Sequence, residues 1–214
     1  MKHYLFLILL LLNFSCSKST GFNGTWLLDI DLQGNKLPVI ITLNQVEDKL
    51  EGTLFNSDEK LSLEGTVVED IAHIEIGSHY AKFTLMLDKD KLSGNWIRTN
   101  KDDYKVKLKG SKFNTESLYR KYESTKTPLK LTGKWKVKLG EDKYGLGNFT
   151  QIGSRVKGSI LSSTGDYRYL DGHVNKNELI LTGFDGVFSF VFKLLVDGEK
   201  MQGQMFSGKA YKQE

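Results

Sequence analysis

The chain has 214 residues, of which 39% are hydrophobic and 11% aromatic, so it can bury a core, and global disorder is not expected. Its formal net charge of +4 combines 30 basic and 26 acidic residues. Because these charges are spread along the chain, the composition does not indicate a nucleic-acid-binding groove. The length allows one large domain or two small ones.

The first residues predict export from the cell. The apolar run Tyr4–Leu12 is too short to span a membrane as a helix, and it indicates a signal peptide over residues 1–15. Cys16, the only cysteine, follows a small residue, an arrangement that resembles the lipobox of bacterial lipoproteins, although Asn13 replaces the usual leucine. The resemblance implies that Cys16 is lipidated, that residues 16–22 form a tether, and that the protein is anchored in the bacterial cell envelope. The alternative is ordinary signal cleavage that leaves an unmodified thiol.

From Asn23 onward, short alternating runs of apolar and polar residues are separated by glycine or charged turns. Such runs, at intervals of about ten to twelve residues, predict antiparallel strands in a meander. Phe83 and Leu85, for example, point to one side of their strand, while Lys82 and Thr84 point to the other. The predicted strands are Thr25–Asp31, Val39–Gln45, Leu50–Phe55, Leu61–Val67, Ala72–Ile76, Lys82–Leu87, Lys91–Ile97 and Tyr104–Lys109.

The second half of the chain repeats the first. Gly24–Trp26 (GTW) returns 109 residues later as Gly133–Trp135 (GKW). Leu50–Leu54 (LEGTL) returns 106 residues later as Val156–Ile160 (VKGSI), and further segments match at similar offsets. A nearly constant offset over the whole length indicates an internal duplication.

The duplication defines two β-units, residues 23–110 and 132–214, each of about eight strands, although the second has no obvious last strand. Residues 111–131 are predicted to be a linker with a short helix that begins at a cap, Asn114, and runs through Tyr122. The fold class is therefore all-β, with two antiparallel up-and-down meanders. The repeated Gly-x-Trp resembles the first strand of lipocalin and avidin-like barrels, which implies two small barrels. One larger fused sheet is the alternative.

A binding site is suggested by a difference between the two units. Arg168 stands where the first unit has Leu61, while Leu170 keeps the apolar character of Leu63. If that face is buried in both units, Arg168 points into a barrel. A buried charge needs an acidic partner or an anionic ligand.

The candidate site consists of five residues of the second unit. Asp166 and Asp185 are the acids nearest to Arg168 in sequence, and Tyr167 and Tyr169, on the opposite face of the strand, could add hydroxyl groups. These residues predict a polar ligand or partner site. An internal ion pair and an exposed position at the rim are the alternatives.

No metal or cofactor site is predicted. His73, His79 and His173 are too scattered to indicate a metal triad, and their convergence is not visible in a sequence. The chain also lacks a Gly-rich phosphate loop and a Gly-x-Ser-x-Gly elbow. We therefore expect these residues to be non-catalytic. A hydrolase would require histidines and carboxylates that converge in a cleft.

Three ordered segments, Thr164–Gly172, Leu179–Gly186 and Phe206–Lys209, resemble the region ahead of the thioredoxin domain in certain envelope TlpA-type thiol:disulfide oxidoreductases. The resemblance is closest over residues 133–209 and extends to residues 23–109 through the duplication. It implies a non-catalytic module that positions a thioredoxin-like domain or binds a substrate protein for it. The Cys-x-x-Cys dithiol of that family is absent from the chain, so no catalytic residue is implied.

The resemblance leaves two forms of the protein open: the accessory region of a longer redox protein, or a stand-alone relative without the enzyme. The alternative function is a lipocalin-like carrier of a small ligand, with Arg168 and the tyrosines in its pocket. A barrel cavity on the order of several hundred Å³ would favour the carrier.

Overall fold

The computed structural model describes residues 21–77, 79–101, 104–139, 141, 143–163 and 165–208. The predicted signal peptide, Cys16 and most of the predicted tether lie outside these described residues, as do Thr164 and Lys209. The strands of the first unit are β1 Gly24–Leu32, β2 Asn35–Val46, β3 Lys49–Asn56, β4 Glu59–Val68, β5 Ile71–Ile76, β6 Ala81–Asp88, β7 Lys91–Arg98 and β8 Lys105–Lys112. Helix α1, Thr115–Ser124, follows. The strands of the second unit are β9 Gly133–Leu139, β10 Lys143–Ile152, β11 Arg155–Ser162, β12 Tyr167–Asn175, β13 Glu178–Phe184, β14 Ser189–Asp197 and β15 Lys200–Ser207.

The first unit is a closed barrel in which each strand pairs antiparallel with its neighbours along the chain. The barrel closes where β8 pairs with β1, so that Trp26 lies opposite Lys112 and Ile30 opposite Leu108. Each of the eight predicted strands overlaps an observed one, which confirms the alternation as a guide to this unit. Closure gives both edge strands a hydrogen-bonded neighbour, which removes the edges where a strand of another chain could pair.

Apolar side chains fill the interior of this barrel. An eight-stranded barrel is just wide enough for inward-facing side chains to fill. The two largest, Trp26 and Trp96, have no exposed surface. The other interior side chains that are fully buried are Leu28, Ile30, Leu37, Ile41, Leu54, Ala72, Ile74, Ile76, Ala81, Phe83 and Leu85. The interior of the first unit is thus a core.

Helix α1 begins at the predicted cap, where the Asn114 side chain accepts a 3.0 Å hydrogen bond from the Ser117 amide. It ends two residues beyond the predicted end at Tyr122. The helix packs on the second unit, because the Tyr122 ring stacks on His173 at a centroid distance of 4.3 Å and the Tyr122 carbonyl accepts a bond from the Ser154 amide. The linker is therefore docked along the second unit.

The second unit is a seven-stranded antiparallel sheet in the order β15-β14-β13-β12-β11-β10-β9. Its inner face carries a separate apolar core, whose fully or nearly fully buried members are Leu131, Phe149, Val156, Ile160, Leu170, Val174, Leu179, Leu181, Phe192 and Val196. The all-β fold with two similar units is thereby confirmed. Of the predicted alternatives, the first unit is a closed barrel and the second an incomplete one.

The duplication is also visible in hydrogen bonds at one end of each unit. The Trp26 indole Nε1 donates to the Phe22 carbonyl oxygen over 2.7 Å, and Trp135 donates to Leu131 over 3.0 Å. The residue whose carbonyl accepts this bond, Phe22 or Leu131, also donates its backbone amide to the side-chain oxygen of a glutamine. In each unit that glutamine lies on the second strand. The repeated Gly-x-Trp therefore belongs to one end-closing arrangement that occurs twice.

The two units share a core at the opposite end of the first barrel. The turn after β13 covers this end, with the Phe184 ring 5.1 Å from Trp96 and 6.1 Å from Phe83 between centroids. The Asn56 side chain accepts a 3.0 Å bond from the Phe184 amide, and the Trp96 Nε1 donates over 2.9 Å to the Gly186 carbonyl. Residues of the second unit thus form part of the core of the first.

Candidate functional site

The second unit has a gap where the first unit has its eighth strand. In the first unit, β8 pairs with both β1 and β7. Within the described part of the chain, β9 pairs only with β10 and β15 only with β14. The sequence predicted this feature, since no obvious last strand followed β15. The gap opens the interior of the sheet to solvent.

A groove of about 1410 Å³ lies along this gap, between β9 and β15. Its apolar lining includes Trp135, Val137, Leu139, Phe149, Ile160, Tyr167, Phe192, Leu194, Met201 and Met205. Trp135 and Val137 are only half-buried, whereas their counterparts Trp26 and Leu28 have no exposed surface. Because the strand is missing, apolar side chains whose counterparts are buried in the first unit are in contact with water in the second.

One wall of the groove contains packed aromatic rings. The Tyr167 ring meets Phe190 at 4.7 Å and Phe192 at 5.4 Å between centroids, in both cases nearly perpendicular. Edge-to-face packing of this kind holds rings in defined positions. Burial raises the pKa of Tyr167, so its phenol is neutral at physiological pH. The wall therefore offers apolar surface and one uncharged hydroxyl group.

The rim of the groove is basic on the β9 side. Lys134, Lys136 and Lys138 alternate with the inward-facing residues of β9 and are exposed. In β1 the corresponding outward positions hold Thr25, Leu27 and Asp29. The opposite rim, on β15, carries Lys200, Gln202 and Gln204. The groove thus joins an apolar floor to a positive edge that the first unit lacks.

Arg168 does not point into the second unit: the condition that its face is buried is not met, and the alternative of an exposed position agrees with the structure. Its side chain is 69% exposed and pairs with Asp166 at 3.1 Å. The cause is a β-bulge, because the pairing of β11 with β12 shifts between Gly158 and Ile160 and Tyr169 has a positive φ of 54°. One extra residue turns the following side chains to the other face. Tyr167, expected on the outer face, consequently lines the groove.

The five predicted site residues lie in three places. Tyr167 lines the groove, whereas Arg168 and Tyr169 lie at a separate cleft of about 490 Å³ on the outer surface, with Asp166 paired to Arg168 beside it. Asp185 caps its own turn by accepting bonds from the Val187 and Phe188 amides at 2.9 and 2.7 Å. The structure does not assemble these residues into one pocket, and a ligand at the outer cleft stays a prediction.

A second polar cluster, around Arg155, was not identified from the sequence. The Arg155 guanidinium makes two bonds to the Asp171 carboxylate, at 2.7 and 3.2 Å, and one to Glu123 at 2.8 Å. The Tyr119 ring covers it at 3.4 Å from the centroid. Although burial acts against the charge, the bonds to Asp171 and Glu123 raise the pKa of Arg155. Since its partners are helix α1 and β12, the cluster docks the linker on the second unit.

Among the described residues, no group of three or more His, Cys, Asp and Glu side chains could hold a metal ion. In the same part of the chain, no helix is long and apolar enough to cross a membrane. Comparison of the chain with protein families, curated proteins and solved structures found no match.

Proposed function

We propose that this chain is a non-catalytic binding module, in which the filled first barrel supports an apolar groove in the second unit. The observation that supports the proposal is the contrast between homologous positions. Trp26 and Leu28 are fully buried in the first unit, whereas Trp135 and Val137 face an open groove in the second. Apolar surface in a concave site is the usual basis of ligand binding.

The driving force would be removal of this surface from water, which contributes about 25 cal/mol per Å² of apolar area. The scaffold also favours binding, because strands β10–β14 are paired on both sides and the aromatic wall is already packed. A preformed site loses little conformational entropy when a ligand enters. The roles as an accessory region of a redox protein and as an envelope lipoprotein stay predictions.

The proposal can be tested with a neutral apolar dye, Nile red, and two matched variants. Met205 and Leu195 are exposed apolar residues on adjacent strands, 39% and 58% exposed, but only Met205 lines the groove. Met205→Lys should weaken dye binding about fivefold or more by placing a charge in the groove, and Leu195→Lys should leave it unchanged. Absence of saturable dye binding, or equal loss in both variants, would contradict the proposal.

A further inference from the structure

We infer that the groove is completed by one extended segment of a partner polypeptide, in which apolar residues alternate with acidic ones. The segment would lie antiparallel to both β9 and β15. This inference rests on the proposed binding role of the groove and names its occupant. Three features of the described residues carry it: strand direction, register and charge.

The direction of the edge strands calls for one additional antiparallel strand. Every neighbouring pair in the second unit is antiparallel, so β9 and β15, the first and seventh strands, run in the same direction. They therefore cannot close the sheet by pairing antiparallel with each other. A single strand of opposite direction can pair with both, as β8 does with β1 and β7 in the first unit.

The register of β8 shows which side chains such a strand would point inward. Leu108 lies between Ile30 of β1 and Gly94 of β7, and Gly110 lies between Leu28 and Leu92. The corresponding inward residues of the second unit are Leu139, Val137, Gly203 and Met201, all of which line the groove. Since they are apolar or lack a side chain, alternate residues of the occupant must be apolar or small.

Charge determines the outward residues of the occupant. In the first unit, Lys109 of β8 lies opposite Asp29 of β1. The position that matches Asp29 is Lys138, and Lys134 and Lys136 continue the same row. Opposite charges across a strand pair are favourable and like charges are not. An occupant with acidic outward residues therefore fits this edge, and a lysine-rich strand such as β8 does not.

The same charges make a second copy of this chain a poor occupant. Two copies that paired their β9 edges antiparallel would bring lysine rows together, a recognised protection against edge-to-edge association. An exchanged β8 in the register of the first unit would place Lys109 against Lys138 and Ser111 against Lys136. These arrangements leave a different polypeptide as the occupant.

Two synthetic peptides form the direct test. One has the β8 sequence, KVKLKGSK, and the other has its three outward-facing lysines, Lys105, Lys107 and Lys109, replaced by glutamates, EVELEGSK. We expect EVELEGSK to bind at least about tenfold more tightly than KVKLKGSK at low salt, a difference that added salt reduces. Binding should slow amide hydrogen exchange in β9 and β15. In the triple variant Lys134→Glu, Lys136→Glu, Lys138→Glu, the preference should reverse.

The remaining outcomes distinguish failure of the strand inference from failure of the proposed function. Nile red binding without binding of EVELEGSK would overturn the strand inference and leave the proposed function standing, whereas loss of both would overturn both. Equal affinity for the two peptides, or peptide binding without protection of β9 and β15, would also overturn the inference. So would sedimentation as a dimer that EVELEGSK dissociates, or tighter peptide binding after deletion of residues 209–214. These two results would identify a second copy or the chain's own end as the occupant.

Discussion

The indole Nε1 of Trp96, on β7 of the first barrel, donates a 2.9 Å hydrogen bond to the carbonyl oxygen of Gly186 in the second unit. Both groups are buried and lie 90 residues apart in the chain. Phe184 packs beside them against Trp96 and Phe83. The closed barrel and the incomplete sheet therefore share core residues, and the groove is attached to its scaffold through this contact.

The first prediction concerns that shared core. Phe184→Ala should lower the free energy of unfolding by about 3–5 kcal/mol, because a buried aromatic ring is lost from between the two units. Phe188→Ala, in the same turn but 56% exposed, should cost about 1 kcal/mol or less. Urea denaturation of both variants provides the measurement. Equal effects would show that the turn does not contribute to the core of the first barrel.

The second prediction tests the docking of helix α1. Arg155→Ala should destabilise the protein by about 3–5 kcal/mol, since the Asp171 carboxylate, 16% exposed, would lose its partner. Arg120→Ala removes a pair with Glu116 on the same helix, but both side chains are about 80% exposed, so the cost should stay below about 0.5 kcal/mol. Thermal unfolding compares the two. A small effect of Arg155→Ala would mean that the cluster is solvated in solution.

The third prediction follows from the bulge in β12. Because Arg168 is 69% exposed, Arg168→Leu and Arg168→Ala should each change the free energy of unfolding by less than about 0.5 kcal/mol. If Arg168 were buried and paired, the alanine variant would be destabilised by on the order of several kcal/mol, as expected when a buried ion pair loses one partner. The leucine variant would not be destabilised. A large difference between the two measured values would contradict the outward orientation.

The fourth prediction concerns alkaline pH. Burial raises the pKa of Tyr104 to about 12, while the nearby Arg98 guanidinium lowers it in part. In the unfolded chain the phenol has its ordinary pKa of about 10. Between about pH 10 and pH 12 the unfolded chain therefore loses a proton that the folded protein keeps. Stability should fall there by up to about 1.4 kcal/mol per pH unit from this group, and its contribution is complete below pH 10.

Tyr104→Phe provides the control for this pH dependence. The variant loses the hydrogen bond from the hydroxyl group to the Gly208 carbonyl at every pH, but it has no phenol to titrate. Urea denaturation at about pH 9 and about pH 11.5 should therefore show a shallower alkaline loss in the variant. Parallel curves for the two proteins would show that Tyr104 titrates normally.

The fifth prediction concerns acidic pH. Burial lowers the pKa of His173, which stacks on Tyr122 of helix α1, and the Glu178 carboxylate only partly opposes this effect. The neutral imidazole is thus favoured in the folded protein. This contribution is complete above the ordinary pKa of about 6.5 and is lost as the pH falls towards the folded value. His173→Phe keeps the stack without titrating, so its thermal midpoint should fall less between about pH 7.5 and pH 5. An equal fall would exclude His173 as the cause.

The candidate groove was only partly predictable. The comparison of the two repeats indicated that the second unit has no obvious last strand, and Tyr167 was among the predicted site residues. The orientation of the β12 side chains was not predictable, because the bulge at Tyr169 depends on how β12 pairs with β11. Arg155 and Asp171 are 16 residues apart and have no motif to mark them as partners.

The strands, the duplication and the all-β class follow from the sequence alone. Alternation such as that of Phe83 and Leu85 depends only on the two-residue period of a strand, and the repeated Gly-x-Trp is a local pattern. Three features became evident only from the folded arrangement: the first barrel is filled, Phe184 completes its core, and Trp135 faces an open groove. These features depend on contacts between residues that are distant in the chain. Such contacts form according to which apolar surfaces the whole fold buries, so local periodicity does not reveal them.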